Sequence, residues 1–263
     1  MSLLSIENLS LTIRDYPILR DVSLSVAPGE IVAVTGESGS GKSMTAFAVM
    51  QLLPEGTRSS GRISLDGTDL LKQNETRMCA LRGRDIGMIF QEPMTALNPV
   101  KTIGAQVVET ILIHKAMGRD AARKRAEEVL DRVGLPKDRF PLSRFPHELS
   151  GGQRQRVVIA MAIALKPRLL IADEPTTALD VTTQAQILTL LKQLVAEDGM
   201  GLLMITHDLA VVADMADRIT VMQKGQVVES APTAQLLRHA QHPYTRMLFA
   251  ASSHRVTLPE PPA

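Results

Sequence analysis

The chain has 263 residues, enough to bury a sizeable core, and its 29 Lys+Arg against 28 Asp+Glu leave a formal net charge of +1, which argues against a general grip on nucleic acid. A single cysteine, Cys79, excludes an intrachain disulfide and a Cys₄ cluster, and suits a reducing compartment. The start of the chain lacks the layout of a signal peptide, and the longest apolar stretch, Val157–Leu165, falls short of the about 20 residues of a membrane span, so the expectation is a soluble chain that meets a membrane only through partners.

Leu3–Ile13, Val22–Val26 and Ile31–Thr35 read as strands, with the turn Pro28-Gly29 between the last two. Directly after Ile31–Thr35 comes Gly36-Glu37-Ser38-Gly39-Ser40-Gly41-Lys42-Ser43, a full G-x-x-x-x-G-K-[ST] loop that opens onto a helix beginning Met44-Thr45-Ala46. The glycines let the backbone curl and aim its N–H groups at an anion, and the helix adds its positive end. Lys42 suits the β- and γ-phosphates and the Ser43 hydroxyl suits Mg²⁺. A chance glycine-rich turn would not supply the strand, Lys42 and Ser43 together, so the chain is expected to handle a nucleoside triphosphate.

Arg62–Leu65 is a short strand ending in the hairpin signal Asp66-Gly67, and Ile86–Phe90 is another apolar strand. From about Ile103 to Glu148 the character changes. Asp120–Val133 places Ala122, Ala126, Val129, Leu130 and Val133 on one face and charges on the other, and Pro136, Pro141 and Pro146 punctuate the residues after it. This stretch reads as a helical lobe inserted into an α/β core. Leu149-Ser150-Gly151-Gly152-Gln153 then precedes the apolar helix Arg154–Leu165. Ser150 and Gln153 have capping-box spacing, but each glycine costs about 1 kcal/mol against alanine inside a helix. Bare amides at a helix start make a second anion site.

Leu169-Leu170-Ile171-Ala172 is a buried strand ending in the carboxylates Asp173 and Glu174, placed where ligands bind in open α/β sheets. Asp173 suits Mg²⁺ through water, and Glu174 suits polarising an attacking water. Gln184–Val195 is a helix, Gly201–Thr206 a strand, Asp208–Met215 a short helix, and Ile219–Met222 with Gln226–Glu229 a hairpin around Lys224-Gly225. The proline-rich tail from Leu258 to Ala263 is expected to be mobile.

These motifs resemble, in the family's order, those of ATP-binding-cassette (ABC) ATPases over roughly residues 3 to 250. Gly36–Ser43 is similar to the Walker A loop, Gln91 to the Q-loop glutamine, Leu149–Gln153 to the signature, Leu169–Glu174 to Walker B, Ala178-Leu179-Asp180 to the D-loop and His207 to the switch histidine. The resemblance implies a P-loop NTPase (RecA-like) α/β core with an N-terminal antiparallel β subdomain, spanning 3–90 and 150–235. A helical lobe at 91–149 is inserted, and a C-terminal helix and tail occupy 236–263. It implies ATP and Mg²⁺ as ligands, the ion met by Ser43, Asp173 and Gln91, and nucleotide contacts from residues 36–43 and Met44. His207 would contact the γ-phosphate. Ser150, Gly151, Gly152 and Gln153 would complete the phosphate site of a second ATPase subunit, identical or paralogous, in a head-to-tail dimer with Asp180 across its interface. Tyr16 is open to two readings, stacking on adenine or lying plainly on the surface.

The segment Gln91-Glu92-Pro93-Met94-Thr95-Ala96-Leu97-Asn98-Pro99, the run Asp173–Val181 and His242-Pro243-Tyr244-Thr245-Arg246 look like those of importer ATPases for peptides, oligopeptides and nickel. That resemblance implies two permease subunits, a substrate-binding protein indirectly, no nucleic acid, and a peripheral place on the cytoplasmic face of the inner membrane. Many members carry a cysteine cluster beyond the His-Pro-Tyr-Thr segment. This sequence has no cysteine after Cys79, so no iron–sulfur cluster is expected. The alternative function is an ABC-type subunit of a soluble enzyme complex such as carbon–phosphorus lyase. A translation- or repair-associated ABC protein fits less well, since those usually carry two cassettes or a long coiled coil.

Overall fold

The computed structural model describes residues 2–91, 96–114 and 117–252, and divides the chain into two compact units. Glu92–Thr95 of the importer-like segment and the tail 258–263 lie outside the described residues.

The first unit takes residues up to Gln73 and those from Gly201 on. Strands β1 (Leu4–Ile13), β2 (Tyr16–Val26), β4 (Thr57–Leu65) and the short β5 (Thr68–Asp69) form an antiparallel sheet in the order β2-β1-β4-β5. β2 begins six residues earlier than the alternation around Val22–Val26 predicts, because β1 pairs with it out to Ile13↔Tyr16. Polar Arg20 and Asp21, the latter at φ +55, break the local pattern there. A cross-strand partner, not propensity, sets that end.

The same unit holds β3 (Ile31–Thr35), with β8 (Gly201–Ile205) and β9 (Arg218–Gln223) parallel on its two sides. All five residues of β3 and of β8 are buried, the mark of a sheet covered on both faces. β9 turns back into β10 (Gln226–Pro232) at Lys224-Gly225, both at positive φ. Helix α1 (Lys42–Met50) comes after the loop that leaves β3.

The second unit runs from Asn74 to Met200. It holds the parallel pair β6 (Ile86–Ile89) and β7 (Leu169–Asp173), with helices α2 (Glu75–Leu81), α3 (Ile103–Ile113), α4 (Arg119–Arg132), α5 (Gly151–Ile163) and α6 (Val181–Asp198). The apolar stripe of α4 is buried as its spacing predicts, with Ala122, Ala126, Val129 and Leu130 against α3 and α5. Arg132 closes this helix onto the end of α6 with contacts of 2.7 Å to both Asp198 and Glu197; those acceptors, Asp198 foremost, hold its guanidinium above its ordinary pKa. The expected helices Arg154–Leu165 and Gln184–Val195 both start three residues earlier, at Gly151 and Val181, because Ser150 and Asp180 cap them. Helix α2, which carries no long apolar period, is started by Asn74, whose side chain accepts from the Arg77 N–H at 2.9 Å.

Asp180 accepts from the N–H of Thr183 at 3.0 Å and from its hydroxyl at 2.7 Å. These bonds, the backbone one foremost, hold its carboxyl below the usual carboxylate range. A carboxyl lowered in the folded state contributes stability that is complete above its unfolded pKa, about 3.9, and is lost as pH falls through its folded value. Asp180→Ala should therefore lower the unfolding temperature at pH 7, and the gap from the wild type should shrink as thermal melts are taken below about pH 3.

Candidate functional site

The phosphate loop is built where β3 ends. Gly36 (φ +147) lies so close to β9 that a Cβ there would sit 2.1 Å from the Met222 carbonyl oxygen. Gly41 (φ +101) begins α1, and a Cβ on it would strike Leu19 at 2.5 Å. Neither position admits a side chain, so these two glycines answer to backbone geometry and packing at once. Lys42 is buried, and its Nζ donates to the carbonyls of Gly36 and Glu37, both at 2.8 Å. The far side of the loop is tied by the Gly225 N–H to the Ser40 carbonyl at 3.1 Å. Glu37, Ser38 and Gly39 face outward, and Ser43 and Met44 are half-buried in the first turn of α1.

His207 lies just past β8, exposed, in the same unit. The Thr206 N–H donates to the Val34 carbonyl at 3.2 Å, so His207 leaves its strand beside the end of β3 from which the phosphate loop springs. Tyr16 is 75% exposed at the start of β2. Two residues on, the Ile18 carbonyl lies 3.5 Å from the Cβ position of Gly41, which brings this stretch against the loop despite its distance in sequence.

In the second unit, buried Asp173 (3% exposed) ends β7 and Glu174 comes next at φ +48. Positive φ is uncommon for a non-glycine residue. Three contacts fix the conformation. The Glu174 carboxylate accepts from Gln91 Nε2 at 3.1 Å and from the Thr177 hydroxyl at 2.9 Å, and the Pro175 carbonyl accepts from Gln155 Nε2 at 2.6 Å. The structure thus brings together Gln91 and Glu174, two residues 83 positions apart that sequence analysis named separately. Gln155 and Thr177 were not anticipated. A glutamine among the apolar residues of α5, itself 1% exposed, was the available signal.

The signature forms the capping box its spacing predicts: the Gln153 N–H donates to Ser150 Oγ at 3.3 Å, and the Ser150 N–H donates to Gln153 Oε1 at 2.9 Å. The glycines that seemed costly in a helix stand in its first two positions. Gly152 has a packing reason as well, since a Cβ there would lie 2.3 Å from Thr183 Cγ2. Thr183 is held by Asp180, so the signature and the loop before α6 share one packed contact.

Ser43 offers a hydroxyl oxygen in the first unit, and Gln91 and Asp173 offer an amide and a carboxylate oxygen in the second, each of the hard kind that Mg²⁺ takes. Among the described residues no group of three or more His, Cys, Asp or Glu could hold a metal by itself.

The strand–loop–helix and its glycine geometry define a P-loop NTPase. A family model described as ABC transporter matches residues 19–177, and the chain belongs to the ABC transporter family. A Brucella melitensis ATP-binding protein assigned by name to peptide import is 52% identical over 243 residues, covering 90% of this chain and 72% of its own. The peptidoglycan transport ATP-binding protein YejF of Agrobacterium fabrum is 54% identical over 232 residues, covering 88% of this chain and 42% of its own, so the chain spans less than half of that relative. A solved dimer of the ATP-binding cassette MJ0796, in a post-hydrolysis state bound to ADP and Pi, superposes with a TM-score of 0.76 at 31% identity over 88% of this chain and 98% of that one. The chain is an ABC-type ATPase, and no helix among the described residues is long and apolar enough to cross a membrane.

Gly152→Ala tests the packed signature. Alanine gains about 1 kcal/mol of helix propensity, but the clash with a threonine held by Asp180 costs about 1–3 kcal/mol. The variant should unfold at lower temperature in calorimetry, and Thr183→Ser, which removes the obstructing methyl and keeps the hydroxyl, should recover most of the loss.

Proposed function

We propose that this chain is the ATP-hydrolysing subunit of an importer for peptides, acting as one half of a head-to-tail pair of cassettes. The observation that carries the reading is the phosphate cradle: Gly36 pressed on the Met222 carbonyl and Lys42 tethered to two loop carbonyls. The amides of residues 39–44 then face the triphosphate, Lys42 meets its β- and γ-phosphates, and Tyr16 stacks on adenine, an interaction worth about 1–3 kcal/mol. The position of Ile18 against Gly41 supports that place for Tyr16.

Ser43 and Asp173 would hold Mg²⁺, with Gln91 in its water shell; when bound, the ion neutralises charge developing on the phosphates. Glu174 polarises the attacking water, and the hydrogen bond from Gln91 supports a shared task for the two. His207 contacts the γ-phosphate. Ser150, Gly151, Gly152 and Gln153 of one subunit complete the phosphate site of its partner, with Asp180 across the same interface. The dimeric likeness of the MJ0796 cassette supports such a pairing.

Two permease subunits anchor the pair to the cytoplasmic face of the inner membrane. The helical lobe at 91–149 passes on the state of the nucleotide, and a substrate-binding protein delivers the solute to the permeases. Nucleic acid has no part. The relatives named for peptide import and peptidoglycan transport favour peptide-bearing solutes over nickel, and an importer over a carbon–phosphorus lyase complex.

Glu174→Gln should keep MgATP affinity while lowering turnover of the assembled transporter by about a hundredfold or more, and should trap an ATP-bound dimer on a sizing column. Hydrolysis at the wild-type rate would remove Glu174 from its role. Lys42→Ala should weaken ATP binding about tenfold or more in a direct titration, the worth of a charge-assisted hydrogen bond.

A further inference from the structure

The N–H of Glu37, inside the phosphate loop, donates to the hydroxyl oxygen of Tyr244 at 2.9 Å. Tyr244 lies 207 positions further along the chain, in helix α7 (Pro243–Ser252), and is 5% exposed. The peptide group that carries this N–H also carries the Gly36 carbonyl, which accepts from Lys42 Nζ at 2.8 Å. Tyr244 and Lys42 therefore grip opposite ends of one peptide plane. Bonds in series polarise one another, and rotation of that plane would break both.

The segment around Tyr244 is itself braced. Glu229, on β10, accepts from the Gln241 N–H at 2.8 Å and from the His242 N–H at 3.1 Å, one with each carboxylate oxygen. Burial pushes the Glu229 carboxyl up, but the Gln241 N–H foremost, then the Thr245 side chain and His242, outweigh it and hold the group below its ordinary pKa. His242 Nδ1 accepts from the Tyr244 N–H at 3.2 Å, and Arg246 Nε donates to the Ala240 carbonyl at 2.8 Å. Burial pushes the Tyr244 phenol up, so it stays neutral and accepts through a lone pair.

We propose that Tyr244 is a positioning residue for ATP binding: its hydroxyl fixes the Gly36–Glu37 peptide, and through it the ammonium of Lys42, so that the braced segment 240–246 sets the affinity of the phosphate loop. The proposal rests on the ATPase reading and gives the His-Pro-Tyr-Thr segment a task within the same chain. It needs no contact between Tyr244 and nucleotide.

Tyr244→Phe removes one oxygen and keeps the ring. In the full assembled transporter it should raise the KM for MgATP, and the Kd in a direct titration, about three- to tenfold, the effect of one neutral hydrogen bond, while kcat stays within about twofold. Amide exchange at Glu37 should quicken while Ser40 and Gly225, whose N–H groups have backbone acceptors, keep their protection. Glu229→Ala should raise KM in the same direction and add less than its own effect to Tyr244→Phe. An unchanged Kd with unchanged exchange at Glu37 overturns the proposal. So does a general loss of protection over residues 36–45, which would mark a packing role only. Failure of the wild-type chain to bind MgATP would instead overturn the ATPase reading.

Discussion

The contact between Gly36 and the carbonyl of Met222 constrains everything at the phosphate end of this protein. Because β9 runs beside β3, its backbone fills the space a side chain at residue 36 would need. The chain leaving β3 must therefore turn at φ +147, and the phosphate loop starts from a fixed direction. Lys42 then binds the loop from inside while Gly225 and Tyr244 hold it from outside. A cradle held in this way spends little of its binding energy on ordering itself when an anion arrives.

The second unit places its chemistry by a different route. Glu174 keeps an uncommon backbone conformation because its own carboxylate, the carbonyl after it and the helix behind it are all occupied by Gln91, Thr177 and Gln155. Such conformations persist where the surroundings over-determine them, and they gather at functional sites. The same economy appears at the signature, where Ser150 and Gln153 satisfy each other's amides and Gly152 makes room for Thr183. Neither glycine of the signature is a lapse in helix design; one starts the helix and the other lets two segments meet.

The likeness to transport ATPases and the details of this chain meet at its C-terminal segment. Residues 242–246 resemble those of importer ATPases in sequence. Their contacts reach back through Glu229 and Glu37 into the phosphate loop. A segment beyond the last shared motif thereby joins the machinery of the first.

The sequence by itself determined the elements and the chemistry that depend on local order. The phosphate loop, the buried strands Ile31–Thr35 and Leu169–Ala172, the capping box at Ser150 and the amphipathic stripe of α4 all arise from neighbours a few residues apart, where spacing alone dictates geometry. Tertiary structure decided what depends on partners distant in the chain: the early start of β2, drawn out by β1; the need for glycine at 36 and 152, set by Met222 and Thr183; and the pairing of Gln91 with Glu174. It alone revealed Gln155 and Tyr244 as supports of the site. A hydrogen bond across 207 positions leaves no periodic trace in a sequence, because its energy is realised only when folding brings the two groups within 2.9 Å.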